Sequence, residues 1–382
     1  MAIIEDHNTV NKLILVGNGL DLALGLKTNY TDFLFWYLKS ILKESFNSDN
    51  NEYNQESFRS KNHLYKNELI SIFSRVKYDK SGLMAILENF NTLNDVLDFI
   101  NNRNQFIIEP NSLLFKAIYE RCINNWVDIE SIYYELLKGC IGSPNNEILK
   151  LNSDFNFLKV ELEEYLTTIK FDETHFETEK NYFVHQFFDS INSKEIFDAH
   201  ESDIISMGST YFLNFNYTNT LSTLVDNFKF KNRMEYEINH IHGKLESDSH
   251  PIIFGFGDEM DDDYKIIEEL KDNRFFENIK SFKYMKNGNY RALMRFLNSG
   301  NYQVCVYGHS CGLSDRVMLN EIFEHENCKS IKIFFYENED GDNDFTNKTM
   351  EISRHFNSNK LMRKKIVEFN PSNKIPQIKN KN

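Results

Sequence analysis

Four short stretches hold residue types able to handle a nucleotide. In Lys12-Leu-Ile-Leu-Val-Gly-Asn-Gly-Leu-Asp21 an apolar run breaks on Gly17-Asn18-Gly19 and reaches an acid, Asp21. Glycines after a buried strand let backbone N–H groups approach phosphate oxygens, and a helix opening there favours negative charge. Leu22 stands where the dinucleotide fingerprint has its third glycine, which argues against a hydride-transfer dehydrogenase. Val306-Tyr-Gly308-His309-Ser310-Cys-Gly312 repeats the design. It also matches the Gly-x-Ser-x-Gly spacing of serine hydrolases, which would need an acid and a histidine further along. His325 and His355 do follow, though neither stands at a convincing strand end. Asn214-Phe-Asn216-Tyr-Thr218 offers an amide that both donates and accepts, suited to orienting a water or a ribose hydroxyl. The same residues are also good helix caps. In Asn239-His240-Ile-His242-Gly243 the two histidines share a face if the strand continues. They then read as a metal pair seeking a third ligand such as Asp258 or Glu259, as one general base, His242, or as a buried histidine bonded to backbone.

The elements that would position these residues follow from the apolar pattern. Continuous runs at Lys12–Gly17, Thr210–Asn216, Ile238–His242, Ile252–Gly255, Val304–Gly308 and Ser330–Tyr336 predict strands covered on both faces. Several end in Gly, Asn or His, which gathers polar groups at the carboxyl edge of a sheet, where open α/β folds bind ligands. Between the first two strands, apolar residues recur at helical spacing, as in Trp126, Ile129, Tyr133, Leu136 and Leu137. The expected fold is α/β: a Rossmann-like, mostly parallel sheet from residues 1–35 and 207–336, with a large α-helical insertion over 36–206. Residues 337–382 are expected to add a helix near Lys348–Phe369 and a polar, disordered tail from Pro371.

Composition bounds the function. A chain of 382 residues with 41% hydrophobic and 26% charged residues reads as a globular α/β protein with room for an insertion. A net charge of −14 disfavours a broad surface for nucleic-acid phosphates. There is no basic-apolar leader and no apolar run near the roughly 18 residues of a membrane span, so a cytoplasmic protein without a membrane partner is expected. Five cysteines without a Cys-x-x-Cys pair predict reduced thiols.

Taken in order, Leu13 through Phe33, Trp126-Val-Asp-Ile-Glu130, Phe215 through Leu221, His240-Ile-His-Gly243, Ile252-Ile-Phe-Gly255, Tyr307-Gly-His-Ser310 and Leu313-Ser-Asp315 resemble the AbiH family of bacterial phage abortive-infection proteins. The set is more distantly similar to SIR2-like NAD-consuming domains. That resemblance implies a SIR2-like core in which Gly17, Asn18, Gly19, Asp21, Gly308, His309 and Ser310 bind the nucleotide, Asn216 orients the ribose or the attacking water, and His242 is the base. Thr218 departs from the SIR2-like pattern, which has Asp there. The implied activity is that of an NAD glycohydrolase, with NAD or a related nucleotide as substrate and no cofactor. A homo-oligomer answering a phage-derived trigger or a companion protein is also implied. Cleaving a nicotinamide–ribose bond develops a cationic sugar while the ring leaves as a neutral amine, so one oriented water and one base suffice. Asp21 and Asp128 are candidate charges beside that cation, though a helix-start acid or a surface salt bridge is the slightly favoured reading of each. Two alternatives stand beside this expectation: a non-catalytic nucleotide sensor acting through a partner, and a metal-dependent nuclease using both histidines.

Overall fold

The computed structural model describes residues 9–47, 62–74, 79–102, 106–122, 128–171, 180–232, 235–257 and 259–378. Eight strands occur among them: β1 (Thr9–Val16), β2 (Asn62–Lys66), β3 (Ile70–Ser74), β4 (Phe106–Pro110), β5 (Ser206–Asn214), β6 (Tyr236–His240), β7 (Tyr302–Tyr307) and β8 (Cys328–Phe334). Five of them form one sheet in the order β6-β5-β1-β7-β8. All four pairings are parallel, with Leu13 of β1 opposite Tyr211 of β5 and Val304 of β7. From β1 the chain winds to β5 and β6 on one side, then crosses to β7 and β8 on the other. The winding reverses between β1 and β7, the place where a doubly wound sheet opens its crevice.

The unbroken apolar runs reflect burial on both faces. Successive side chains of a strand point to opposite sides. Leu13 and Leu15 accordingly pack with Leu213, Val304, Val306 and residues of the helices Asn289–Leu297 and Arg316–Glu324. Ile14 and Val16 pack on the other face with Phe212, Tyr307 and the helices Gly19–Ala23, Lys180–Phe188 and Thr220–Asn232. Lys12 is buried, and its ammonium reaches the carbonyls of Phe187 and Asp189 at the end of helix Lys180–Phe188. A cation at a helix C-terminus is favoured there.

The contacts divide the chain into a unit of Met1–Leu26, Lys170–Ile266 and Ile279–Asn382, and a second of Lys27–Ile169 and Ile267–Asn278. The core unit therefore takes Lys170–Ser206, which the sequence assigned to the insertion, because Phe183, Val184 and Phe187 are sealed against the sheet. The second unit is not purely helical. Alongside helices such as Tyr30–Asn47 and Asn145–Thr168 it folds β2, β3 and β4 into an antiparallel sheet. Asp128 belongs here as a cap, its carboxylate accepting Ser131 N–H at the start of helix Ile129–Gly139. Trp126 lies outside the described residues.

Two further expectations are corrected. Ile252–Gly255 forms no strand: it follows Pro251, which has no N–H to give a ladder, and holds to the preceding turn through Ile253 N–H on the His242 carbonyl at 2.8 Å. The C-terminal region makes two short helices, Phe345–Ser353 and Asn359–Lys365, and the described part of its tail packs on the core unit. Ile375 is buried and bonded to Phe335, and Ile378 N–H donates to the Ala23 carbonyl at 2.8 Å.

Candidate functional site

At the carboxyl edge of the sheet the ends of β1, β5 and β7 are stitched together by backbone. Phe215 N–H donates to the Val16 carbonyl at 2.9 Å, Gly17 N–H to Tyr307 at 3.1 Å and Gly19 N–H to Gly308 at 2.8 Å. The two glycine turns predicted as separate phosphate cradles thus lie against each other. A Cβ on Gly17 would stand 2.5 Å from the His309 Cα, and one on Gly19 2.6 Å from the Gly308 Cα. The glycines are required by this close approach, and the N–H groups of Gly17 and Gly19 are committed to protein carbonyls. Asn18 is exposed at the head of the helix Gly19–Ala23.

Asn216 joins this seam. Its side-chain amide donates to the Gly17 carbonyl at 3.1 Å, and its backbone N–H is held by the Asn214 side chain. Asp21 lies alongside, buried, accepting from the Thr218 hydroxyl at 2.7 Å. Its other oxygen, Oδ1, has no hydrogen-bond partner among the described residues. Burial pushes its pKa up to about 6, against the opposing pull of Thr218, Thr220 and Asn216. The Thr218 hydroxyl is thus in direct contact with a buried acid.

The histidines part company. β6 ends at His240, so strand alternation no longer holds at His242. His240 faces the Asn214 amide and Ser222, and burial, aided by Lys244 and His250, pushes its pKa down to about 4. His242 enters a different cluster. Its Nε2 lies 3.0 Å from both the Tyr284 hydroxyl and Asp315 Oδ1. Lys280, fully buried, donates to the same Oδ1 at 3.0 Å, and Tyr284 O–H points to it at 3.3 Å. Asp315 opens the helix Arg316–Glu324. Burial alone would raise its pKa, but Lys280, His242 and His309 outweigh that and hold it well below the usual carboxylate range. Burial and the nearby Lys280 ammonium lower His242, against Asp315 and the Phe215 backbone, so His242 is neutral at pH 7.

His309 is the cluster's second imidazole. Its Nδ1 accepts the Cys311 N–H at 2.9 Å, which leaves the proton on Nε2, 3.8 Å from Asp315 Oδ2. Burial drives its pKa down to about 3, with Asp315 opposing and His242, Lys348 and Lys280 assisting. The Phe215 ring lies between the two imidazoles, 5.0 Å from His242 and 4.0 Å from His309. Ser310 is exposed, and among the described residues no hydrogen bond joins it to a histidine. Positive φ in this turn falls at Gly308, where glycine bears it freely, and at Cys311, where it is strained, and not at the serine that a hydrolase elbow would strain.

A cavity of about 260 Å³ adjoins this cluster, with Tyr284 and Asp315 in its wall beside Glu259, Tyr290 and Met318. Asn216 and the glycine turns do not line it. Lys280, Tyr284 and Asp315 were not singled out in the sequence as candidate site residues. The available signal was Lys280 and Tyr284 four residues apart, on one face of the helix Lys280–Tyr284. Among the described residues no group of three or more His, Cys, Asp or Glu could hold a metal ion, and Asp258 lies outside them.

The comparisons with known proteins agree with the ordered motifs. A family model for bacteriophage abortive infection AbiH matches residues 13–337. The chain belongs to the AbiH family. Its role is therefore abortive-infection defence against bacteriophage. The match spans the stitched edge and the His242–Asp315 cluster of this AbiH-family protein, together with all eight strands but the start of β1. No curated protein matches the chain. No described helix is long and apolar enough to cross a membrane.

Proposed function

We propose that this AbiH-family protein acts in abortive infection by hydrolysing NAD, or a close relative, at the bond between the ring and the ribose. The observation that carries the reading is the bonded series from His242 to Tyr284 and Asp315, which ends in a cavity wall. At about 260 Å³ the cavity lies just below the roughly 300–1,000 Å³ of small-molecule pockets, a fit for one ring and its sugar.

Loss of the ring produces a cationic sugar that a water captures, and that water must give up a proton. Tyr284 is the group at the cavity, and His242 lies behind it. The water's proton passes to the Tyr284 oxygen as the tyrosine's own proton moves to His242 Nε2. The resulting imidazolium is stabilised by the ionised Asp315, which Lys280 holds in place. The nicotinamide ring leaves as a neutral amine without protonation. Asn216 serves the site by fixing the Gly17 turn, and His242 acts as a base through Tyr284. The test is release of free ring from NAD by purified, phage-activated protein. Wild type should turn over, His242→Ala should abolish release, and Tyr284→Phe should lower kcat by roughly a hundredfold with the fold unchanged. Absence of release by activated wild type would overturn the reading.

A second reading is favoured by one specific observation. Thr218 stands where the SIR2-like pattern has an acid, as in a site that senses a nucleotide without reacting it. Binding of NAD without turnover would select it.

A further inference from the structure

The two oxygens of Asp315 are unequally used. Oδ1 accepts from Lys280 and stands 3.0 Å from His242 Nε2 and 3.3 Å from the Tyr284 hydroxyl. Oδ2 accepts no hydrogen bond among the described residues, and the His309 Nε2 stands 3.8 Å from it, longer than a hydrogen bond. This half-satisfied carboxylate belongs to the cavity wall, where Glu259 is a second acid and no cationic side chain appears. The Lys280 ammonium is fully buried on Oδ1 and Lys280 does not line the cavity, so it fixes the charge without presenting its own there. The remaining wall is flat and soft. Tyr284 and Tyr290 stack at 13° with centroids 6.0 Å apart, and Met285 and Met318 add polarisable sulfur.

Such a wall rejects phosphate by like charge. It attracts a planar group that is positive, through the tyrosine faces, and that carries an N–H for the free carboxylate oxygen. We propose that this cavity is a charge-selective ring site that holds a cationic, amide-bearing aromatic heterocycle and discriminates it from the neutral and anionic forms of the same ring. The inference deepens the proposed reaction and rests on it for the identity of the ring. Its consequence is specific. A pyridinium loses its charge when the glycosidic bond breaks, so the product is bound less tightly than the substrate ring. The enzyme is then weakly inhibited by its own leaving group.

Ring fragments test the site without any turnover. N-methylnicotinamide (cationic), nicotinamide (neutral) and nicotinate (anionic) are titrated calorimetrically into the full-length protein. The cation should bind about tenfold more tightly than nicotinamide, with nicotinate weakest. Ser281→Trp, which fills the cavity from its half-buried rim, should abolish all three without altering thermal unfolding. Asp315→Asn alone strands the buried Lys280 and could unfold the chain. The double change Lys280→Met with Asp315→Leu removes the carboxylate with its buried partner and should cut the preference for the cation several-fold, leaving the part owed to Glu259 and the tyrosine faces. Equal binding of the three fragments, no binding of any, or a preference undiminished by the double change would each overturn the inference. Failure of the hydrolytic reading shows instead as unreleased ring from intact NAD, an outcome independent of these titrations.

Discussion

Two regions share the carboxyl edge of the sheet and are built on opposite principles. The seam of Gly17, Gly19 and Gly308 is closed by backbone: its N–H groups are donated internally and its glycines allow contact between two turns. The cluster of His242, Lys280, Tyr284 and Asp315 is closed by side-chain charge and opens on a cavity. The glycine motifs are conspicuous in the sequence, yet the cavity is lined by residues outside them. In this protein a glycine turn at the switch point is a joint that fixes where the strands end, and the charged cluster is hung from the segments that follow.

Charge removal should break the second region hardest. Lys280→Met leaves Asp315 buried beside two neutral imidazoles, and should cost about 3–5 kcal/mol at pH 7 in denaturant unfolding. The loss should shrink on acidification, as the stranded carboxylate takes up a proton. An unchanged midpoint would mean that the ion pair contributes nothing to stability.

The seam holds a buried acid that behaves in the opposite sense. The pKa of Asp21 is raised from 3.8 to about 6, so the folded state binds its proton more tightly than the unfolded state does. That contribution is fully present below pH 3.8 and is lost as pH rises through about 6. Asp21→Asn should therefore stabilise the protein at pH 7, by roughly 3 kcal/mol at most, and flatten the stability profile between pH 4 and 6. Destabilisation at pH 7 would show instead that ionised Asp21 is compensated.

Gly19→Ala should cost about 1–3 kcal/mol, since the added methyl meets backbone on the facing turn. A neutral result would show that the turns can separate and that the seam is looser than its hydrogen bonds imply. Ser310→Ala should do least, staying within about 0.5 kcal/mol and leaving nucleotide cleavage intact. Loss of activity there would restore the serine-hydrolase alternative.

The strands of the core were legible because burial on both faces writes an unbroken apolar run, as in Leu13 to Val16. Ile252–Gly255 carries a similar run without being a strand. Apolarity reports burial, and it does not report whether a ladder partner exists. Helix Lys180–Phe188 was placed in the wrong unit for a related reason: the spacing of Phe183, Val184 and Phe187 marks an apolar face but not the surface it meets. The short strands β2 to β4 were hidden among helices in the same stretch. Of the site, His242 was readable from its own surroundings. Lys280 and Tyr284 were not, because what gives them meaning is Asp315, 35 and 31 residues farther along.

The contact between Asp21 and Thr218 makes one charge the joint holding of two turns. One residue follows β1 and the other follows β5, yet they are joined at 2.7 Å. The first turn supplies the carboxylate and the second the hydroxyl that fixes it, so any parting of the two strand ends also changes the proton affinity of Asp21.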